Sequence, residues 1–464
     1  MELFRKIPLR LLKGSRGLFL FLSLVLILPI ISRLLTYPEF GEEGEKLAAG
    51  KLMLQGAVLY KDVFSHHFPL AYFVAAAGSV FGASIIAARV CMLSVWISCF
   101  AIVALAPGLA PSTALAAVAW FVFGPFYLSQ TLLYNSVAAA TIFVCFGITL
   151  ASLTFRRVTK QHALVVGAFA ALSVLADPLQ VYPVAIVIAF WLLDRSMRLR
   201  FPALIMGGFL VGAVFLGYLL LTDSFIDFIS QAIGFNLEYY PRSNSGELQV
   251  PLKIWQELRS FLTVLNWDWI NLPLLPKTFW MKGWEADFDY TILGGVAARI
   301  IVLVFILWNL LRCEFRVASF VLLFFVFMTG SEHDRGLAAQ SFFVCALLCG
   351  AVLGNTSSKP TSHLSRTVKV LGCSYLVALT VVCASHHYLS WDKFGIERNY
   401  REVMQRARFY RKLVPDTHQV KLAVYPFDPY SFYFSDFEPL AGFTFMWPWV
   451  ARYGMSKVID ALQN

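Results

Sequence analysis

"FPLAYFVAAAGSVFG", residues Phe68 to Gly82, decides how this chain is threaded. It is apolar enough to enter a bilayer, but a helix over it would rise only about 22 Å at 1.5 Å per residue. The hydrocarbon core is about 30 Å thick. Around it lie fuller apolar runs, from Gly17–Leu35 at the start, through Ser84–Ala106 and Ser136–Phe155, to Val370–Leu389 near the end. Between them sit short basic segments: the N-terminus "MELFRKIPLRLLKGSRG", "RRVTK" (156–160), "DRSMRLR" (194–200), "RCEFR" (312–316) and "KPTSHLSRTVK" (359–369). If Phe68–Gly82 crosses, the four internal basic segments lie opposite the basic N-terminus. If it only dips into one leaflet, all five share the cytoplasmic side, as the positive-inside rule requires. The second threading is the expectation.

It predicts an all-α polytopic membrane protein with about 11 transmembrane helices. The first outer loop, 36–83, carries interfacial helices; the other long outer loop is 222–290. The N-terminus is cytoplasmic and the C-terminus extracytoplasmic, with residues 1–389 as the membrane domain. Residues 390–464 form a small α/β module, with a helix over "FGIERNYREVMQRARFYRKLVP", a strand over "VKLAVYPF" and a final helix over "GMSKVIDALQN".

Composition supports the class. Hydrophobic residues make up 58% and charged residues 14%, with mean hydropathy +0.67, against about a quarter charged in soluble domains. The net charge of +10 is carried largely by short loops. Topology and anionic membrane lipids therefore account for it, and no nucleic-acid partner is expected. The N-terminal segment lacks a small-residue cleavage site, so an uncleaved first span is predicted. The eight cysteines show no metal spacing and predict no disulfide framework.

Acidic, histidine and amide residues outside the spans gather mostly on the outer side. "FGEEGEKLAAGKLMLQG" (40–56) puts three glutamates in one helical turn, where the helix dipole favours negative charge. An interfacial amphipathic helix with a Glu42–Lys46 pair would explain them structurally. The whole first loop, however, resembles that of the C-type glycosyltransferase superfamily. It is closest to glycosyltransferase family 39 and its bacterial relatives, which include the protein O-mannosyltransferases and the lipid A aminoarabinose transferases. The motifs read Glu42-Glu43-Gly44, Ala48 to Gly56, "LYKD" (59–62), Pro69 with Tyr72, "FGAS" (81–84) and "AAR" (87–89). The tail stretches "YPFDPYSFYF" and "FMWPW" are similar too. The resemblance departs from the family at Glu42-Glu43 for Asp-Glu, Phe68-Pro69 for Pro-Pro, and Asn135 for a second loop Asp.

The resemblance implies a bacterial cytoplasmic-membrane transferase taking a sugar from a polyprenyl-phosphate donor. The acceptor would be a lipid, glycan or protein hydroxyl outside the cytoplasm. It makes Glu42 the general base and Glu43 its partner. A base suits the chemistry, because a hydroxyl needs its proton accepted as it attacks the anomeric carbon. A glutamate of pKa about 4.3, raised by acidic neighbours, moves toward a useful base. The leaving phosphate calls for cations; outer-side candidates are Lys61, Arg89, Arg242 and Arg335. For sugar or acceptor contacts the candidates are His66, His67, Asn135, Asp177, Tyr239 and Tyr240. Each has a structural alternative: polar helix starts for the histidines, an Asp-Pro turn for Asp177, and interfacial anchoring for the tyrosines. No residue is assigned to a metal, although a divalent cation would be compatible with the chemistry. The rival classes are a lipid-linked-sugar flippase or transporter and a degenerate assembly protein. Spans nearly free of charge favour surface chemistry over a conducting path.

Overall fold

The computed structural model describes residues 35, 41–124, 129, 131–238, 287–331, 339–355, 396–414, 421–422, 428–435, 437–444 and 448–463. Two expected spans, Gly17–Leu35 up to residue 34 and Val370–Leu389, lie outside them, as do Arg242, Arg335, Tyr239 and Tyr240.

The described chain is mainly helical. Its helices are α1 (Gly41–Leu54), α2 (Leu70–Ser79), α3 (Ile85–Ala104), α4 (Ala110–Phe123), α5 (Tyr134–Phe155), α6 (Lys160–Ala176) and α7 (Val181–Leu193). After these come α8 (Phe201–Leu221), α9 (Asp287–Leu311), α10 (Phe315–Ser331), α11 (Ala339–Asn355), α12 (Ile396–Leu413), α13 (Pro429–Ser435) and α14 (Pro448–Gln463). By length and composition, α3, α5 and α8 could each cross a membrane. The segment at 68–82 yields α2, ten residues long, about 15 Å against a bilayer core of about 30 Å.

α5 is the hub. It is apolar all round, and every residue from Asn135 to Leu153 is buried, as expected of a helix surrounded by others. Its aromatic contacts run to α3 through Phe143 and Phe100, whose centroids are 4.8 Å apart, and to α10 through Phe146 and Phe324 at 4.7 Å. α8 is the opposite case. Phe209, Val214 and Leu221 are exposed by 67%, 76% and 91%, a surface that suits lipid and not water.

α8 holds to α6 through glycine. A Cβ on Gly167 would stand 1.8 Å from the Leu204 carbonyl oxygen, and one on Gly207 would stand 2.0 Å from that of Leu164. The backbones meet directly, as small residues allow between membrane helices. Gly167→Ala should therefore push the pair apart and cost about 1–3 kcal/mol, read by thermal unfolding in detergent. Gly212→Ala, with nothing near its Cβ position, is the control and should not destabilise.

Of the expected C-terminal strand, Lys421–Leu422 pairs in parallel with Glu438–Pro439, and residues 420 and 423–427 lie outside the described residues. The tail also docks through a helix. α13 lies on α1, with Tyr430, Phe432 and Tyr433 in one apolar cluster with Leu47 and Ala48. The Lys51 ammonium of α1 donates to the Tyr433 carbonyl at 2.8 Å, placing a cation at the C-terminal end of α13. A Cβ on residue 44 would sit 2.8 Å from the Tyr430 ring, so the close approach of α13 is matched to glycine there. α1 is thus largely buried by the rest of the protein, residues 43–50 throughout.

Candidate active site

α1, the 57–68 segment, the turn before α5 and α13 meet at one end of the bundle. Glu43 is fully buried there and its carboxylate is surrounded. Arg89 of α3 donates through Nη2 at 2.8 Å and through Nε at 3.3 Å. The Leu132 amide donates at 3.1 Å and the Tyr430 hydroxyl at 3.5 Å. Four donors on one carboxylate, two of them from a single guanidinium, make a rigid anchor. Arg89 is itself fully buried, and its Nη1 reaches the Leu35 carbonyl at 3.5 Å.

Two residues on, Glu45 forms a second buried knot. Lys46 donates to it at 2.7 Å, so the lysine pairs with Glu45 and not in the expected i,i+4 geometry with Glu42. The Tyr72 hydroxyl donates to the other Glu45 oxygen and also meets Ser65 Oγ at 2.7 Å. The Lys46 ammonium, with no exposed surface, lies 5.3 Å from the centre of the Tyr72 ring and 5.8 Å from that of Tyr134, close enough for cation–π attraction.

The 57–68 segment is held from outside its own sequence. Tyr60 adopts φ +73, a strained value for a tyrosine. Gln231, in a π-helical turn at 229–234, donates to the Tyr60 carbonyl and accepts from the Ser65 amide at 3.0 Å. Asn236 donates to the His66 carbonyl at 2.6 Å, and the Tyr60 hydroxyl to that of His67 at 3.0 Å. The two imidazole centroids lie 3.9 Å apart with the rings tilted by 38°, and His67 stacks on Tyr134 at 4.6 Å. Burial, and then the Lys46 charge, lowers His66 to about 3. Burial, His66 and Lys46 hold His67 well below the usual range. Burial therefore favours the neutral form of both rings.

Glu42 differs from its neighbours. Glu43 and Glu45 are exposed by 0% and 2%, whereas Glu42 is only partly buried.

No family model and no curated protein matches the chain. Solved structures do. ArnT from Cupriavidus metallidurans, crystallised in the apo state, superposes with a TM-score of 0.57 at 10% identity, over 96% of this chain and 90% of that one. The archaeal oligosaccharyltransferase AglB from Archaeoglobus fulgidus, in complex with an inhibitory peptide and a dolichol-phosphate, gives 0.50 at 12% identity, over 96% and 68%. The fold is that of the C-type membrane glycosyltransferases.

Within this C-type fold the anticipated residues divide. Glu42, Glu43, Arg89, His66 and His67 lie in or beside the buried cluster, together with Asn135 at the start of α5. Asn135 is 5% exposed, and its Oδ1 has no partner among the described residues. Asp177 caps the 178–180 turn, accepting from the Leu179 amide at 3.0 Å, and burial raises its pKa. Lys61 lies out at the surface, 3.4 Å from Asp223 in a pair that is 45% and 96% exposed. Among the described residues no group of three or more His, Cys, Asp and Glu could hold a metal ion.

Sequence reasoning assigned no site role to Glu45, Tyr72, Gln231 or Tyr430, and gave Lys46 only a pairing with Glu42. Tyr72 and Tyr430 stood inside quoted motifs, and a lysine directly after a third glutamate was a visible signal. Gln231 offered none, since its partners are backbone groups more than 160 residues away in sequence.

Proposed function

We propose that this protein transfers a sugar from a polyprenyl-phosphate donor to a lipid, glycan or protein hydroxyl at the extracytoplasmic face of a bacterial cytoplasmic membrane. Residues 1–389 form the catalytic membrane domain, and 390–464 form an extracytoplasmic module packed on it. Glu42 accepts the acceptor's hydroxyl proton, the oxygen bonds to the anomeric carbon, and the carbon–phosphate oxygen bond breaks. Polyprenyl phosphate leaves with the electron pair. One displacement inverts the anomeric centre and needs one base, unlike the carboxylate pair of a retaining glycosidase.

The observation carrying this proposal is the unequal burial of the first turn. Glu43 and Glu45 are buried in ion pairs with Arg89 and with Lys46, the latter joined by Tyr72, whereas Glu42, in the same turn, is only partly buried. Arg89 then fixes Glu43 and through it the turn, so the phosphate falls to Lys61, Arg242 and Arg335. His66, His67, Asn135, Asp177, Tyr239 and Tyr240 are assigned to sugar and acceptor. A neutral imidazole both donates and accepts, which suits sugar hydroxyls.

The test supplies purified protein in lipid with polyprenyl-phosphate sugars and hydroxyl acceptors and follows release of polyprenyl phosphate. Release coupled to a glycosylated acceptor is expected. Movement of intact donor between leaflets without release would instead establish the flippase.

A further inference from the structure

We propose that α12 is a membrane-docking helix whose outward face binds anionic phospholipid headgroups; this does not depend on the reaction assigned above. α12 carries six Arg or Lys against two Glu. Its buried side, Val403 and Ala407, faces the tail, and α12 packs on α13. Two cations serve that attachment: Arg406 pairs with Asp428 at 3.0 Å, and Arg411 donates to the Ser435 carbonyl at 3.0 Å.

Three others point away. At 100° per residue, Arg401, Arg408 and Lys412 fall on one stripe opposite Val403 and Ala407. All three are exposed, and no acid pairs with them among the described residues. Beside that stripe, one turn apart, Phe409 and Leu413 are exposed by 56% and 63%. A row of cations flanked by bare apolar side chains is the composition of an interfacial helix. The ammonium and guanidinium groups meet phosphate while the apolar groups enter the headgroup boundary. A dissolved polyanion would use the cations and leave Phe409 and Leu413 in water.

Position favours the bilayer too. Ile396 follows by seven residues the end of the last apolar run at Leu389, so the chain can carry α12 at most about 25 Å from that point. Because α12 grips α13 and α13 lies on α1, lipid binding would press the tail onto the candidate site.

The full-length protein is placed in nanodiscs of phosphatidylcholine alone or with roughly 30% phosphatidylglycerol, and amide hydrogen exchange is measured across 401–413. Exchange should slow about tenfold or more in the anionic discs, and high salt should reverse this. R401Q/R408Q/K412Q should abolish the difference and F409A/L413A reduce it. In both variants α13 should keep wild-type protection, showing that the tail stays attached. Equal exchange in the two disc types overturns the proposal. So does equal slowing by free glycerophosphate in phosphatidylcholine discs, which would make the ligand a soluble phosphate.

Discussion

Glu42→Gln should lower sugar transfer by about 10²–10⁴-fold, the usual contribution of a positioned general base. Glutamine keeps the size and polarity of the side chain but cannot take up the proton released as the acceptor oxygen attacks. Because Glu42 is only partly buried and glutamine is close to isosteric, the change should cost less stability than the same change at a fully buried glutamate. The informative comparison is Glu45→Gln. It removes a carboxylate from the same turn, but one that carries Lys46 and Tyr72, so its main effect should be on stability. Rates and thermal unfolding of both variants separate the roles. Undiminished transfer by Glu42→Gln would remove the base assignment.

Arg89→Ala should destabilise the protein by about 3–5 kcal/mol, the penalty for stranding one partner of a buried ion pair. Glu43 has no exposed surface, and the Leu132 amide and Tyr430 hydroxyl cannot balance its charge. Replacing both partners by apolar residues, as in R89M/E43L, should recover most of the loss, since the remaining site then has no stranded ion. A double-mutant cycle by unfolding in detergent measures the coupling. Wild-type stability in Arg89→Ala combined with lost donor binding would return Arg89 to the phosphate-binding role suggested by its sequence motif.

The short apolar segment at 68–82 illustrates what can be read from one chain. Its length bears on its depth whatever surrounds it, and α2 has ten residues. The first-loop motifs were legible for a similar reason: Gly44 and Gly50 mark close approaches, where a Cβ would meet the Tyr430 ring at 2.8 Å and the Ala75 carbonyl carbon at 2.6 Å. The partners at those approaches were not legible. Tyr430 reaches Glu43 across 387 positions and Lys51 reaches Tyr433 across 382, separations at which no local periodicity connects residues. The expected Glu42–Lys46 pair failed for the same reason, because Tyr72 and Tyr134 build a seat that turns the lysine toward Glu45.

Hydropathy and the small share of charged residues determined, without any coordinates, that this is a helical membrane protein and that most charge lies outside its apolar runs. Both follow from the cost of moving each residue type from water into hydrocarbon, which is paid residue by residue and so is written along the chain. The unequal burial of Glu42, Glu43 and Glu45 belongs to the tertiary structure alone. It depends on which carboxylate meets a buried cation, and those cations are positioned by helices and a tail that only folding brings together.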